Sequence, residues 1–324
     1  MGINKILVMG NNEISHSILR ALIKSLEKVV DIPQKPYEIF ILTYPSQTVQ
    51  IPPHAPPTII KHYSCDFSDA SLRDALSGTD LVVSTIAGGD HVFQTRIIDA
   101  AIAAGVKRFM PCEFGQNSLN DKLHQRVPRY VERAKIIEYL QHSSRTQQDF
   151  TWVALAVGSI LDSALLSGDL GFDLEWQSAT MHGSGEERFA ASSLDSTGHA
   201  VSSIVRHWTT VQNQYLCSAG TITTSHEILR CLQSRSQSRW TAGYSDIEDC
   251  VREGMSRIER GFPDSGMFLL EKSILCDQEL GAVHAFEDHT AARLLQLNSE
   301  TTESIVGKAY WKFTLQGKPH CGCD

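Results

Sequence analysis

The first half of the chain alternates between short apolar runs and longer amphipathic stretches. Residues 5–9 form an apolar run, the pattern of a strand buried on both faces. Ile14, Ile18, Leu22 and Leu26 recur at helical spacing and predict an amphipathic helix over 14–26. Further strands are predicted at 37–43, 59–64, 81–86, 108–111 and 151–156, with helices at 71–76, 94–104 and 129–142. The Pro-rich stretch 45–57 suits an exposed loop, because proline breaks both ladders. Strands and helices alternating at these lengths predict an α/β fold with a Rossmann-type, doubly wound parallel sheet. After Gly158 the texture changes: apolar runs shorten, Gly183-Ser184-Gly185 marks a loop, and helical patterns return at 196–207, 226–232 and 246–259. This predicts a Rossmann-like domain of the NAD(P)-binding type over 1–157. Residues 158–324 then supply the last sheet strands and a smaller C-terminal substrate lobe.

Charge narrows the partners. Against 29 Lys and Arg stand 37 Asp and Glu, a formal charge of −8 over 324 residues. A nucleic-acid binder needs a basic face to displace counterions, and an anionic membrane surface attracts basic ones. Neither partner is expected. No apolar run approaches the roughly 18 residues of a membrane span. The chain opens almost directly into a strand, with no signal-peptide pattern ahead of it, so a cytoplasmic protein with reduced thiols is expected. Of the eight Cys, only Cys321 and Cys323 are close in sequence, next to His320, and no second pair is spaced for zinc. No metal is expected. The oligomeric state stays open.

One segment carries a more specific signal. Val106-Lys107-Arg108-Phe109-Met110-Pro111-Cys112-Glu113-Phe114-Gly115 resembles a signature of the isoflavone-reductase-like, NmrA-like family of atypical short-chain dehydrogenases. Leu81 to Gly89, Ile97 to Ala101, Phe150 to Val153 and Leu194 to Ala200 resemble further segments of that family, in order. The resemblance implies a Rossmann domain with a small substrate lobe and an active site in the cleft between them. It also implies NADPH-dependent reduction of phenolic or polyketide-like substrates, or dinucleotide sensing without catalysis.

Three positions depart from the family pattern. A dinucleotide turn uses glycines to bend tightly, to admit the pyrophosphate and to pack the helix on the strand. In Gly10-Asn11-Asn12-Glu13-Ile14-Ser15 only the first glycine stands, with Asn12 and Ser15 at the other two positions. After the second strand, relatives place an Arg for the 2′-phosphate; here Tyr44 stands there, with Lys61 as a candidate substitute. The family lysine on the helix after the signature falls in register on Arg133, with Lys135 two residues on. Gly10, Asn12, Ser15, Tyr44 and Gly88 are therefore read as vestigial cofactor positions, and no cofactor is expected.

Candidate catalytic groups are Asp162, Lys135, Arg133, His91 and Glu113. Asp162 in an apolar setting is expected to titrate high and act as a neutral acid, or else to hold a backbone amide or Arg133. Glu113 reads first as a loop anchor and Asp90 as a helix cap, while His91 is equally an acid or base or an exposed turn residue. Cys112 reads as a small buried thiol, His124 as a surface residue over the cleft, and Trp176 and Met181 as substrate wall or core. The expected function is non-redox, acid/base-promoted isomerisation, cyclisation or rearrangement of a small hydrophobic, oxygenated metabolite of secondary metabolism. The alternatives are an NADPH-dependent isoflavone-reductase-like oxidoreductase and an NmrA-type dinucleotide sensor.

Overall fold

The structure is a computed structural model and describes residues 2–27, 37–49, 60–88 and 90–316. The chain opens with β1 (Lys5–Met9), α1 (Glu13–Glu27), β2 (Glu38–Thr43), β3 (Ile60–Ser64), α2 (Asp69–Leu76), β4 (Leu81–Ser84) and α3 (His91–Ala103). It continues through β5 (Arg108–Met110), α4 (Asp121–Arg126), α5 (Pro128–Thr146) and β6 (Thr151–Ala156). Then come β7 (Ser159–Ile160), α6 (Leu161–Ser167), β8 (Phe172–Asp173), β9 (Ser178–His182), β10 (Phe189–Ser192) and α7 (Leu194–Arg206). The last strands are β11 (Gln214–Cys217), β12 (Thr221–Thr223) and β13 (Thr241–Ser245).

Seven strands form one sheet in the order β11-β6-β5-β4-β1-β2-β3. Every pairing in it is parallel. Side chains alternate across a strand, so each central strand feeds two cores. Ile6 and Val8 of β1 pack under α1 and α7, whereas Leu7 and Met9 pack on the face that carries α2, α3 and α5. Strand β6 repeats this, with Val153 and Leu155 on the first face and Trp152 and Ala154 on the second. The predicted parallel sheet is thus observed. Two small sheets, β12-β10-β7 and β13-β9-β8, build the lobe, whose own core includes Leu161, Leu165, Phe172, Met181, Phe189 and Ile228.

Element ends differ from the sequence reading where polar residues extend a helix. Asp90 caps α3, its carboxylate accepting the Phe93 amide at 2.9 Å, so the helix starts three residues before Gln94. Helix α5 runs four residues past His142 on polar residues that carry no periodic signal. Helix α4 was invisible, since its six residues contribute one buried side chain, Leu123. Much of the Pro-rich loop, Gly89 and the tail with His320, Cys321 and Cys323 lie outside the described residues. Among the described residues no helix is long and apolar enough to cross a membrane, and no group of His, Cys, Asp and Glu could hold a metal ion.

Helices α1 and α7 touch backbone to backbone at Gly198. A Cβ on it would lie 2.5 Å from the Ser17 carbonyl oxygen, and the Ser17 hydroxyl donates to the Leu194 carbonyl at 2.6 Å. Alanine normally gains about 0.5–1 kcal/mol over glycine in a helix. Here the overlap outweighs that gain. Gly198→Ala is expected to cost about 1–3 kcal/mol in urea unfolding. Gly243→Ala, where a Cβ meets nothing within 4 Å, is expected to leave stability within about 0.5 kcal/mol.

Candidate functional site

The carboxyl ends of β1 and β4 form the base of the cleft. Gly10 has φ +116°, a region closed to side chains, and a Cβ there would collide with the Thr85 hydroxyl. The Gly10 amide donates to the Leu42 carbonyl at 2.9 Å, locking the turn to β2. Asn12 then caps α1. Its side-chain oxygen accepts the Ser15 amide at 2.9 Å, and the Ser15 hydroxyl accepts the Asn12 amide at 2.9 Å. This is the reciprocal arrangement of a capping box. The Asn12 amide nitrogen also donates to the Thr85 carbonyl at 2.8 Å. The exposed Asn12 side chain thereby bridges the turn to the end of β4, and Ser15 is fully buried. The Ser15 hydroxyl is turned back on the Asn12 backbone, donating to its carbonyl at 2.7 Å, so it fits under the helix start where a glycine was expected.

Across the cleft from this turn lies α6. The Ser163 hydroxyl donates to the Glu13 carboxylate, tying the start of α6 to the start of α1. Beside it, Asp162 accepts the Leu194 amide at 3.0 and 3.2 Å and the Ser163 amide at 3.1 Å. Burial pushes the Asp162 carboxyl up to about 6, against the pull of those amides. Its position joins α6 to the first turn of α7.

The signature loop builds the cleft's opposite wall. Glu113 is 1% exposed. Its carboxylate accepts the Ser118 hydroxyl at 2.5 Å and the Tyr215 hydroxyl at 3.0 Å. Burial raises its titration, while the Arg133 charge opposes the rise. Burial alone would lower Arg133, but Glu113, Tyr130 and Cys112 hold it above its ordinary value, so it stays a cation. Cys112 is pushed up to about 11 by burial and is a thiol, not a thiolate. Cys112, Glu113, Arg133, Glu132, Gln94 and Ile86 line one narrow cleft. Lys135 is not among its lining; it is exposed and pairs with Glu132 at 2.7 Å. His91 bonds the other oxygen of Glu132 through Nδ1. The structure thus gathers Arg133 and Glu113 in the cleft, and places His91 and Lys135 on its rim through Glu132.

Gln94, Ser118 and Tyr215 were not singled out in the sequence. Gln94 donates to the carbonyls of Ile86 at 3.1 Å and Gly88 at 2.7 Å, pinning the loop after β4. A Gln on the apolar side of a helix was the available signal. Tyr215 had none, because it meets Glu113 from 102 residues away. The other readings resolve simply. His124 lies half-buried on α4 and bonds the Ser118 carbonyl at 2.7 Å, Met181 is core, and Trp176 is 77% exposed. Lys61 does not substitute for the missing Arg: it pairs with Glu38 at 3.1 Å, at the start of β2, while Tyr44 follows its end.

A model of the NmrA-like family matches residues 5–253. The chain belongs to the NmrA-like family. Among named relatives, this NmrA-like chain is 26% identical to "Oxidoreductase aprR" of Aspergillus flavus over 307 residues, 94% of this chain and 98% of that one. Among solved structures, an isoflavone reductase shares its fold at TM-score 0.70 and 17% identity, over 94% of this chain and 99% of that one. The quinone oxidoreductase QOR2 of Escherichia coli, complexed with NADPH, does so at TM-score 0.67 and 16% identity, over 94% and 99%. The expectation that the family cleft works without a cofactor is overturned by neighbours solved with NADPH in the same fold, QOR2 and a leucoanthocyanidin reductase of Vitis vinifera among them. Asn12 and Ser15, which replace two glycines of the family turn, serve to cap α1.

Asp162 gives a test with a defined sign. Its folded-state value of about 6 lies above the roughly 3.9 of an unfolded Asp. Its favourable contribution is complete below the unfolded value and is lost as pH rises through 6. Stability measured by urea unfolding is expected to fall between pH 4 and pH 7 by on the order of 1–3 kcal/mol more in the unaltered protein than in Asp162→Asn. Equal pH slopes for the two proteins would show that the carboxyl titrates normally.

Proposed function

We propose that this protein is an NADPH-dependent reductase of a small, hydrophobic, oxygenated metabolite, in place of the non-redox isomerase or cyclase expected from its altered turn. The observation that carries the reading is the reciprocal capping of Asn12 and Ser15, which keeps the tight β1–α1 turn and the start of α1 without the second and third glycines. Gly10 supplies the bend. The capping box consumes the amides of Asn12 and Ser15, so those of Glu13 and Ile14 are the ones a helix start leaves over for an anion. The names of the relatives, oxidoreductases and NADPH-linked reductases, support the same reading.

When bound, the reduced nicotinamide supplies the hydride. The protein's own task is at the substrate oxygen. Arg133, a permanent cation lining the cleft, polarises that oxygen and holds the negative charge that develops on it. Glu113 acts through Arg133, its nearby charge keeping the guanidinium a cation. Arginine is a poor proton donor, so the proton comes from the rim, where His91 is oriented by Glu132. The apolar side chains Ile86, Pro111 and Ile136 line the cleft with Arg133 and favour a hydrophobic substrate.

The test is fluorescence titration with NADPH, followed by assay of a panel of quinones, enones and phenolic ethers. Binding at micromolar concentration and turnover of at least one class are expected. Arg133→Ala is expected to lower kcat/KM about 100-fold or more while NADPH binding changes less than about threefold. Lys135→Ala is expected to retain activity. No NADPH binding at about 1 mM, or full turnover by Arg133→Ala, would sink this assignment.

A further inference from the structure

The end of β2 is where a Rossmann fold reads the ribose 2′ position: an acid takes a free hydroxyl there and an Arg takes a phosphate. This chain has neither. From Tyr44 to Ile59 the sequence contains no Lys and no Arg. Lys61, the next cation, is held by Glu38 at the far end of the strand and lies over the Phe40 ring at 5.3 Å. Arg96 reaches the neighbourhood but is spent on the Phe67 carbonyl at 3.2 Å and the Asp69 carboxylate at 3.3 Å. Asp66 adds a negative charge, since hydrogen bonds from Ser68 hold its carboxyl below the usual range.

What the site has instead is aromatic. The Tyr44 ring lies on Phe67 with centroids 4.3 Å apart and an interplanar angle of 32°. Phe93 backs Phe67 at 6.2 Å. Tyr44 is 39% exposed while Phe67 is 3% exposed, so the outer ring faces solvent on a buried support. Phe67 holds φ +58°, a costly conformation for a bulky residue. The surroundings enforce it: the Phe67 amide donates to Cys65 Sγ at 3.2 Å, the Ser68 amide donates to Asp66 at 2.9 Å, and Arg96 grips the Phe67 carbonyl. A strained residue held this firmly serves to place its ring under Tyr44.

We propose that Tyr44 on Phe67 is a purine-stacking platform that holds the adenosine end of the dinucleotide without reading its 2′-phosphate, so that the protein takes NADH as well as NADPH. This rests on the reading of the cleft as a dinucleotide site. An aromatic face gains from stacking with any purine and is indifferent to a phosphate on the ribose. Discrimination requires a fixed cation within hydrogen-bond reach, and the described residues around Tyr44 offer none that is not already engaged.

Calorimetric titration of the purified protein with NADPH and with NADH tests this by binding alone. The two dissociation constants are expected to agree within about threefold. Tyr44→Ala is expected to weaken both about tenfold or more, and Tyr44→Phe, which keeps the ring, to weaken neither. Tyr44→Arg is expected to favour NADPH over NADH by about tenfold. NADPH binding more than about tenfold tighter than NADH in the unaltered protein overturns the inference and leaves the reductase reading standing. A Tyr44→Ala protein that melts normally and binds both nucleotides unchanged does the same. Binding of neither nucleotide overturns both.

Discussion

A carboxylate withdrawn from water is tolerated only when its charge and lone pairs are met, and the cleft is organised around one such group. Glu113 sits at the carboxyl end of β5, nearly free of solvent, between the Ser118 and Tyr215 hydroxyls and near the Arg133 guanidinium. Three parts of the chain meet there: the loop after β5, helix α5 and strand β11. Two residues on, the Gly115 carbonyl accepts the amides of Val157 at 3.0 Å and Gly158 at 2.9 Å, where the chain leaves the sheet for the lobe. Removing one member of such a set leaves the others buried and unpaired, a cost of several kcal/mol. The loop, the lobe's entry point and strand β11 are thus tied together around Glu113 by its hydrogen bonds and those of Gly115, with the Arg133 charge nearby.

The cofactor turn shows how the same backbone can be reached with different side chains. Glycines at its second and third positions would leave the helix start bare. Asn12 and Ser15 instead cap each other and tie the turn to Thr85, and only Gly10, pressed against the Thr85 hydroxyl with positive φ, has no substitute. The loss of two glycines is a change in how the turn is stabilised. Whether a motif's residues are missing matters less than which way their replacements face.

The sheet and most of its helices were legible because burial on two faces imposes a period that a short apolar run reveals. Strand β6 was read to the residue. Helices were legible where an apolar stripe ran through them, as in α1, and not where polar caps and exposed turns set the ends, as in α3 and α5. Short α4, with one buried side chain, carried too few apolar positions to show a period, and the apolar positions of α6 span only two turns. At the site, Arg133 and Glu113 could be named from local motifs. Tyr215 and the Leu194 amide on Asp162 could not, since their partners come from distant parts of the chain.

By itself the sequence determined the layered α/β architecture, the family and the short list of charged groups near the sheet's carboxyl edge. These follow from periodicity and from a contiguous motif, both local properties of a chain. Tertiary structure decided what those groups do. It set Asn12 and Ser15 to cap each other, put Arg133 in the cleft and Lys135 on its surface, and set Tyr44 on Phe67 where the family places a cation. Side-chain direction and partner choice depend on which surfaces meet in space. For a polar residue at the end of a strand, no local pattern encodes that.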